Sequence, residues 1–121
     1  MRILVADDSK TMRMIVVRTL RQAGYEGNEI LEAEDGAQAL AMATADVPDL
    51  ILSDWNMPNM SGIEFLRALR ARGAAVPFCF VTSEGSDEMR TLAEQAGAVG
   101  LIAKPFTAEA FSDVLRTVVS A

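Results

Sequence analysis

Apolar residues cluster in five short runs along the chain: Ile3-Leu4-Val5-Ala6, Ile30-Leu31-Glu32-Ala33, Leu50-Ile51-Leu52-Ser53, Phe78-Cys79-Phe80-Val81 and Gly100-Leu101-Ile102-Ala103. They are continuous rather than alternating, as expected of parallel strands covered on both faces. The intervening segments follow a helical period. Met89, Leu92, Ala93 and Ala96 recur at i, i+3, i+4 and i+7, and so do Phe111, Val114, Leu115 and Val118. Met12, Ile15, Val16, Thr19 and Ala23 make a third stripe, Ile63, Leu66 and Leu69 a fourth, and Ala37, Leu40 and Ala41 a weaker fifth. Met12, Met14 and Met42 are read as packing residues.

The boundaries agree with that pattern. Ser61-Gly62-Ile63-Glu64 reads as a capping box, and Asp35-Gly36-Ala37-Gln38 resembles one. Ser86 and Thr107 suit helix N-caps, and Gly24, Gly73 and Gly97 suit helix stops. Pro48 and Pro77 stand just before strands. Strand and helix alternate five times, so the class is α/β with right-handed crossovers.

In an open parallel sheet, ligands bind beyond the carboxyl ends of the strands, at the point where strand order reverses. For five strands the common order is 2-1-3-4-5. Four of the runs end in Asp7-Asp8, Asp54, Thr82-Ser83 and Lys104-Pro105. With neighbouring strands about 4.8 Å apart, the order puts Asp7-Asp8 and Thr82 one strand from Asp54, on opposite sides. Lys104 lies two strands away, roughly 10 Å, a gap only a long side chain can bridge. Three gathered carboxylates repel, by about 4 kcal/mol per pair at 4 Å and an effective dielectric of 20. A cation therefore has to compensate, and hard oxygen donors with room for water suit Mg²⁺. Beside such an ion Asp54 can attack phosphorus, with Thr82 and Lys104 binding phosphoryl oxygens.

Composition narrows the setting. The chain has 121 residues, half of them apolar, which suits one domain with a core that needs no disulfide or structural metal. A net charge of −6 argues against nucleic acid or an anionic membrane as the main partner. The single Cys79 falls inside an apolar run and is expected to be a buried, inert thiol in a reducing, cytoplasmic setting. No stretch approaches the roughly 20 apolar residues of a membrane span, and the first strand begins too early to leave room for a signal peptide.

Four motifs, in order and at strand ends, carry a family resemblance: Val5-Ala6-Asp7-Asp8-Ser9, then Ser53-Asp54-Trp55-Asn56-Met57-Pro58-Asn59-Met60-Ser61-Gly62, then Val81-Thr82-Ser83-Glu84, and Ala103-Lys104-Pro105-Phe106. Together they resemble the receiver domain of two-component response regulators, within it the stand-alone chemotaxis regulators, over essentially the whole chain, residues 1–121. The resemblance implies a flavodoxin-like receiver fold of five parallel strands with five helices on both faces. It implies that Asp54 is the phosphorylated aspartate and that Asp8, Asp54 and the backbone carbonyl of Asn56 bind Mg²⁺, with Asp7 helping through water. Thr82 would be the switch hydroxyl, and Lys104 would contact the phosphoryl group and precede a cis Pro105. Asn56 and Glu84 would influence hydrolysis of the acyl phosphate, and the small Ser83 would leave the pocket open. A histidine kinase would donate the phosphoryl group to a monomer that reads out through its fourth helix, fifth strand and fifth helix. One position departs from the pattern: Leu101 stands where the family often carries an aromatic residue that changes rotamer on activation.

Other readings compete. Asp7-Asp8 and Thr82-Ser83 can serve as helix caps, Asp54 as an Asx turn and Lys104 as a solvated lysine. A phosphatase of the haloacid dehalogenase type also uses an Asp nucleophile and Mg²⁺, but has a second Asp two residues on, where this chain has Asn56. A flavin module of the flavodoxin type needs a hydroxyl- and glycine-rich phosphate loop where Asp7-Asp8 stand. Within the receiver reading, a phosphate sink or a pathway other than chemotaxis stays open.

Overall fold

The computed structural model describes residues 1–24, 29–83, 85–104 and 106–119, the side chains of 117–119 excepted. Glu84 and Pro105, including the cis bond expected there, and the Val118 side chain lie outside the described residues. Among the described residues ten elements alternate: β1 (Arg2–Ala6), α1 (Lys10–Gln22), β2 (Glu29–Ala33), α2 (Gly36–Ala45), β3 (Leu50–Ser53), α3 (Gly62–Ala71), β4 (Phe78–Thr82), α4 (Asp87–Gln95), β5 (Gly100–Ala103) and α5 (Ala108–Val119). All strand pairs are parallel and the sheet order is β2-β1-β3-β4-β5, as the sequence predicts.

The side-chain alternation of the strands divides the core into two layers. Leu4, Ala6, Ile51, Phe78, Phe80 and Leu101 face α2, α3 and α4, where Phe65, Leu66 and Leu69 meet them. Ile3, Val5, Leu50, Leu52, Cys79, Val81 and Ile102 face α1 and α5, against Val16, Leu20, Phe111 and Leu115. Burial pushes the Cys79 thiol up to about 12, so it is inert as expected. β2 is an edge strand, and its Glu29 and Glu32 are exposed, which explains why its run is the least apolar of the five.

The caps fall where the residues require them. Ser61 and Glu64 form the reciprocal capping box, and Ser86 caps α4. Ala110 N–H donates to Thr107 Oγ1. Gly24, Gly73 and Gly97 all adopt positive φ at helix ends, the conformation a glycine stop supplies. The box at Asp35 is only half formed: Asp35 accepts from Gln38 N–H, but the Gln38 side chain accepts from Glu34 N–H instead of the cap residue's own.

Three helix faces differ from the sequence expectation. α2 turns Gly36, Ala39 and Ala43 inward, leaving Ala37 and Ala41 exposed; a helix this rich in alanine carries too little polar contrast to fix its face. On α1 the buried set is Arg13, Val16, Thr19 and Leu20, while Ile15 is exposed. Met14, read as a packing residue, is 56% exposed, because it lies on the solvent side of that shifted stripe. Phe65 joins the α3 face and is fully buried, edge-on to Phe78 with ring centroids 5.4 Å apart.

Truncating Phe65 to alanine is expected to lower unfolding stability by about 3–5 kcal/mol, since the helix cannot collapse into the space left under the sheet. Met14→Ala should stay within about 0.5 kcal/mol. Urea denaturation of the two variants checks the contrast; equal midpoints would contradict the assigned faces.

Candidate active site

Asp7, Asp54 and Lys104 each sit one position beyond a strand, and each is pinned by the last carbonyl of a neighbouring strand. Asp7 N–H donates to Ala33 O at 3.1 Å, Asp54 N–H to Ala6 O at 2.8 Å and Lys104 N–H to Thr82 O at 2.7 Å. The sheet therefore extends its own ladder one step to hold the site backbone. Parity decides the rest. Asp7, Asp54 and Lys104 continue the alternation of Val5, Leu52 and Ile102 toward the α1/α5 side, which is why the lysine can lie across both aspartates.

Lys104 Nζ is 3.4 Å from Asp7 Oδ2 and 3.7 Å from Asp54 Oδ2, with its side chain only 15% exposed. It is not a solvated lysine. Asp7, Asp8 and Asp54 each offer a carboxylate oxygen, and the three oxygens lie within 4.8 Å of one another. Asp7 is buried, Asp54 half-buried and Asp8 exposed. Three carboxylates against one ammonium leave a local excess of two negative charges, which a divalent cation neutralises. Opposite ligands of Mg²⁺ stand roughly 4 Å apart, so small side-chain rotations would close this set around the ion. The residues present fit Mg²⁺.

The capping alternatives do not hold. Ser9 caps α1, with Oγ accepting from Met12 N–H, and this leaves both aspartates free of that duty. Ser9 N–H instead donates to Asp7 Oδ1 at 2.9 Å and fixes the orientation of that carboxylate. Ser86 caps α4, so Thr82-Ser83 does not. Asp54 Oδ1 accepts from Trp55 N–H at 2.7 Å, the adjacent residue rather than the next but one of an Asx turn. Thr82 is fully buried and Ser83 exposed, with Asn56 exposed on the loop after β3. Leu101 is nearly buried, and Arg90 Nη1 donates to its carbonyl at 3.1 Å.

Two contributors escaped the sequence reading. Arg13 is buried and donates from Nη1 to Asp7 O at 2.7 Å, while its Nε pairs with Glu32 at 2.9 Å. Its signal was present, for a charged residue at i−3 from Val16 interrupts the apolar stripe of α1. Gly62 is the second. A Cβ there would come within 2.1 Å of Asp54 O, so the start of α3 can approach the aspartate's backbone only without a side chain. Trp55 packs on Phe80 with ring centroids 4.6 Å apart and the planes tilted by 38°.

The carboxyl pKa of Asp54 is raised above its ordinary 3.8, chiefly by burial, with Lys104 opposing and Asp7 and Asp8 adding to the rise. The folded protein therefore holds this proton more tightly than the unfolded chain. Stability on this account falls as pH rises from about 3.8 through the raised value.

A doubly wound parallel sheet with an acidic cluster at its carboxyl rim defines the class: flavodoxin-like α/β proteins with an acidic pocket at the strand ends. Within it, the model of the response regulator receiver domain matches residues 3–116. The chain is 40% identical to the chemotaxis protein CheY of Pseudomonas aeruginosa over 120 residues, covering 98% of this chain and 95% of that protein. It is 42% identical to CheY-3 of Vibrio cholerae over 117 residues, or 95% and 88% of the two chains. Among solved structures, the receiver domain of NarL from Mycobacterium tuberculosis superposes with a TM-score of 0.87 at 30% identity, covering 99% and 97% of the chains. CheY4 of Vibrio cholerae gives 0.84 at 38% identity and 97% of both. The chain belongs to the response regulator receiver family. Membership implies a histidine kinase as phosphodonor and a downstream target, and receiver domains bind Mg²⁺ at an acidic pocket, the feature Asp7, Asp8 and Asp54 form here.

Two outcomes test the electrostatics. Millimolar Mg²⁺ is expected to raise the melting temperature of the wild type, because it binds only the assembled carboxylates; an unchanged value would count against the site. In metal-free buffer at pH 7, Asp54→Asn should melt higher than the wild type, with the margin shrinking as the pH is lowered toward 3.8. A margin constant across pH would mean that ionisation of Asp54 is not its source.

Proposed function

We propose that residues 1–121 act as one receiver domain that accepts a phosphoryl group on Asp54 from a histidine kinase and then changes its affinity for a partner. The observation that carries this reading is the gathering of Asp7, Asp8 and Asp54 within 4.8 Å, with Lys104 reaching over two of them. Asp8, Asp54 and the Asn56 carbonyl would hold Mg²⁺, with Asp7 helping through water. Bound there, Mg²⁺ would supply screening of the phosphoryl oxygens from the acidic pocket and stabilisation of the charge on them.

Asp54 Oδ attacks phosphorus as the P–N bond to the donor histidine breaks, and the bonding electron pair returns to the imidazole. Lys104 leaves its two aspartates to bind a phosphoryl oxygen as a point charge. Thr82, buried before the reaction, is drawn to another phosphoryl oxygen, and that displacement starts the switch. Asn56, Ser83 and Glu84 set how long the acyl phosphate lasts before water hydrolyses it. One transfer and one hydrolysis per signal make this a signalling cycle rather than metabolic turnover.

Leu101 cannot perform the rotamer flip of an aromatic side chain. The output on α4, β5 and α5 instead passes through the packing of Leu101 and the Arg90 bond to its carbonyl, beside a cleft of about 150 Å³ lined in part by Arg90, Glu94 and Val99. The names of the relatives, chemotaxis proteins at about 40% identity, support a chemotaxis-type role. A phosphate sink is the second reading, favoured by the loss of the aromatic at 101. Among the described residues, no helix is long and apolar enough to cross a membrane.

Incubation with acetyl phosphate and Mg²⁺ should add the mass of one phosphoryl group to the wild type and none to Asp54→Asn. Lys104→Ala should still bind Mg²⁺ but accept phosphate roughly 100-fold more slowly, the magnitude typical of losing one preorganised charge contact. A mass gain that survives Asp54→Asn would move the acceptor elsewhere.

A further inference from the structure

The loop after β3, residues 54–61, carries both Asp54 and Asn56 and is closed on itself at its base, where Gly62 N–H donates to Trp55 O at 2.8 Å. Its far half is fastened elsewhere. Asn59 adopts φ 66°, at the centre of a three-residue turn closed by Met60 N–H to Pro58 O at 2.7 Å. Among the described residues it is the only one besides glycine with positive φ. A three-residue turn with positive φ at its centre is a strained γ-turn, costly for a residue that carries a side chain.

The turn aims Asn59 Nδ2 at Asp35 Oδ2, 2.9 Å away. The other oxygen of Asp35 accepts from Gln38 N–H at 2.7 Å and caps α2. Alongside, Gly36 N–H donates to Met60 O at 3.2 Å, and a Cβ on Gly36 would come within 2.2 Å of that same oxygen. A strained turn, a bridging carboxylate and a glycine-only approach thus converge on one junction. It joins the loops that follow β2 and β3, the two strands flanking β1, at whose end lie Asp7 and Asp8.

We propose that Asp35 and Asn59 are positioning residues that set the Mg²⁺ site, holding the 54–61 loop so that Asn56 and Asp54 stand at a fixed spacing from Asp8. The inference rests on the Mg²⁺-dependent reading above. Neither residue touches the ion. They fix the backbone that presents its ligands, so the metal-free site is already assembled, and ordering the loop does not have to be drawn from the binding free energy.

Two variants separate this role from ordinary stability. Asn59→Gly keeps the positive φ but removes the side-chain bond. Asp35→Ser keeps a good cap for α2 but cannot reach Asn59. Mg²⁺ is titrated against Trp55 fluorescence in the full chain, and metal-free melting temperatures are recorded beside it. Each variant should bind Mg²⁺ roughly 10-fold more weakly, near the lower end of what losing an outer support of a metal site costs. Its metal-free melting temperature should stay within a few degrees of the wild type, and the double variant should bind no more weakly than either single one. Wild-type affinity in both variants, losses that multiply in the double variant, or a collapse of the metal-free melting temperature overturns the proposal. If the wild type binds Mg²⁺ and the variants match it, the positioning role alone fails; if the wild type shows no Mg²⁺ binding, the parent reading fails with it.

Discussion

Mutual repulsion among the carboxylates of Asp7, Asp8 and Asp54 is the constraint around which this molecule is arranged. A fold would ordinarily scatter such charges. Here the backbone ladder holds Asp7 and Asp54 at adjacent strand ends, while burial makes it harder for Asp54 to carry its charge. Lys104 offsets part of the repulsion by lying 3.4 Å and 3.7 Å from two of the three groups. What remains is an excess of two negative charges at a partly open mouth. That residue of unfavourable energy is functional capacity, because a divalent cation or a redistribution of Lys104 can release it.

The surroundings are rigid where the charges need it. Arg13 grips the Asp7 carbonyl from α1, Ser9 orients the Asp7 carboxylate, and Gly62 lets α3 begin directly against Asp54. Beneath them Phe80 supports Trp55 and packs against Phe78, with centroids 5.0 Å apart. The hydrophobic layer thus reaches within one residue of the phosphoacceptor proposed here. The β5 side is built differently: Leu101 fills its slot with an aliphatic group, and Arg90 ties α4 to the strand's carbonyl. Any signal passing from the rim to that face has to move packed aliphatic side chains and one arginine rather than swing a ring.

Membership of the receiver family and the kinase it implies give the arrangement its purpose, and this chain's own residues give it its particulars. The departure at Leu101, the charged Arg90 and the Asp35–Asn59 junction are where this receiver is individual. Each lies one layer out from the carboxylates, where packing and loop geometry adjust a site without altering the groups that perform its chemistry.

The five strands, the α/β alternation and the gathering of Asp7, Asp8, Asp54 and Lys104 at strand ends were legible in the chain itself, since continuous apolar runs, capping signals and polar residues at run ends are local features. Strong stripes such as Phe111 and Leu115 on α5 were equally readable, because large side chains leave one helix face in no doubt. The alanine-rich face of α2 was not, nor the burial of Arg13 in place of Ile15 on α1, for these depend on which neighbour happens to offer a partner. Sequence determined which groups stand at the ends of which strands. Only the tertiary structure decided that Lys104 spans two aspartates and that Asn59 reaches Asp35. Those outcomes depend on distances between segments remote along the chain, and such distances exist only once the sheet has set strand order, register and parity together.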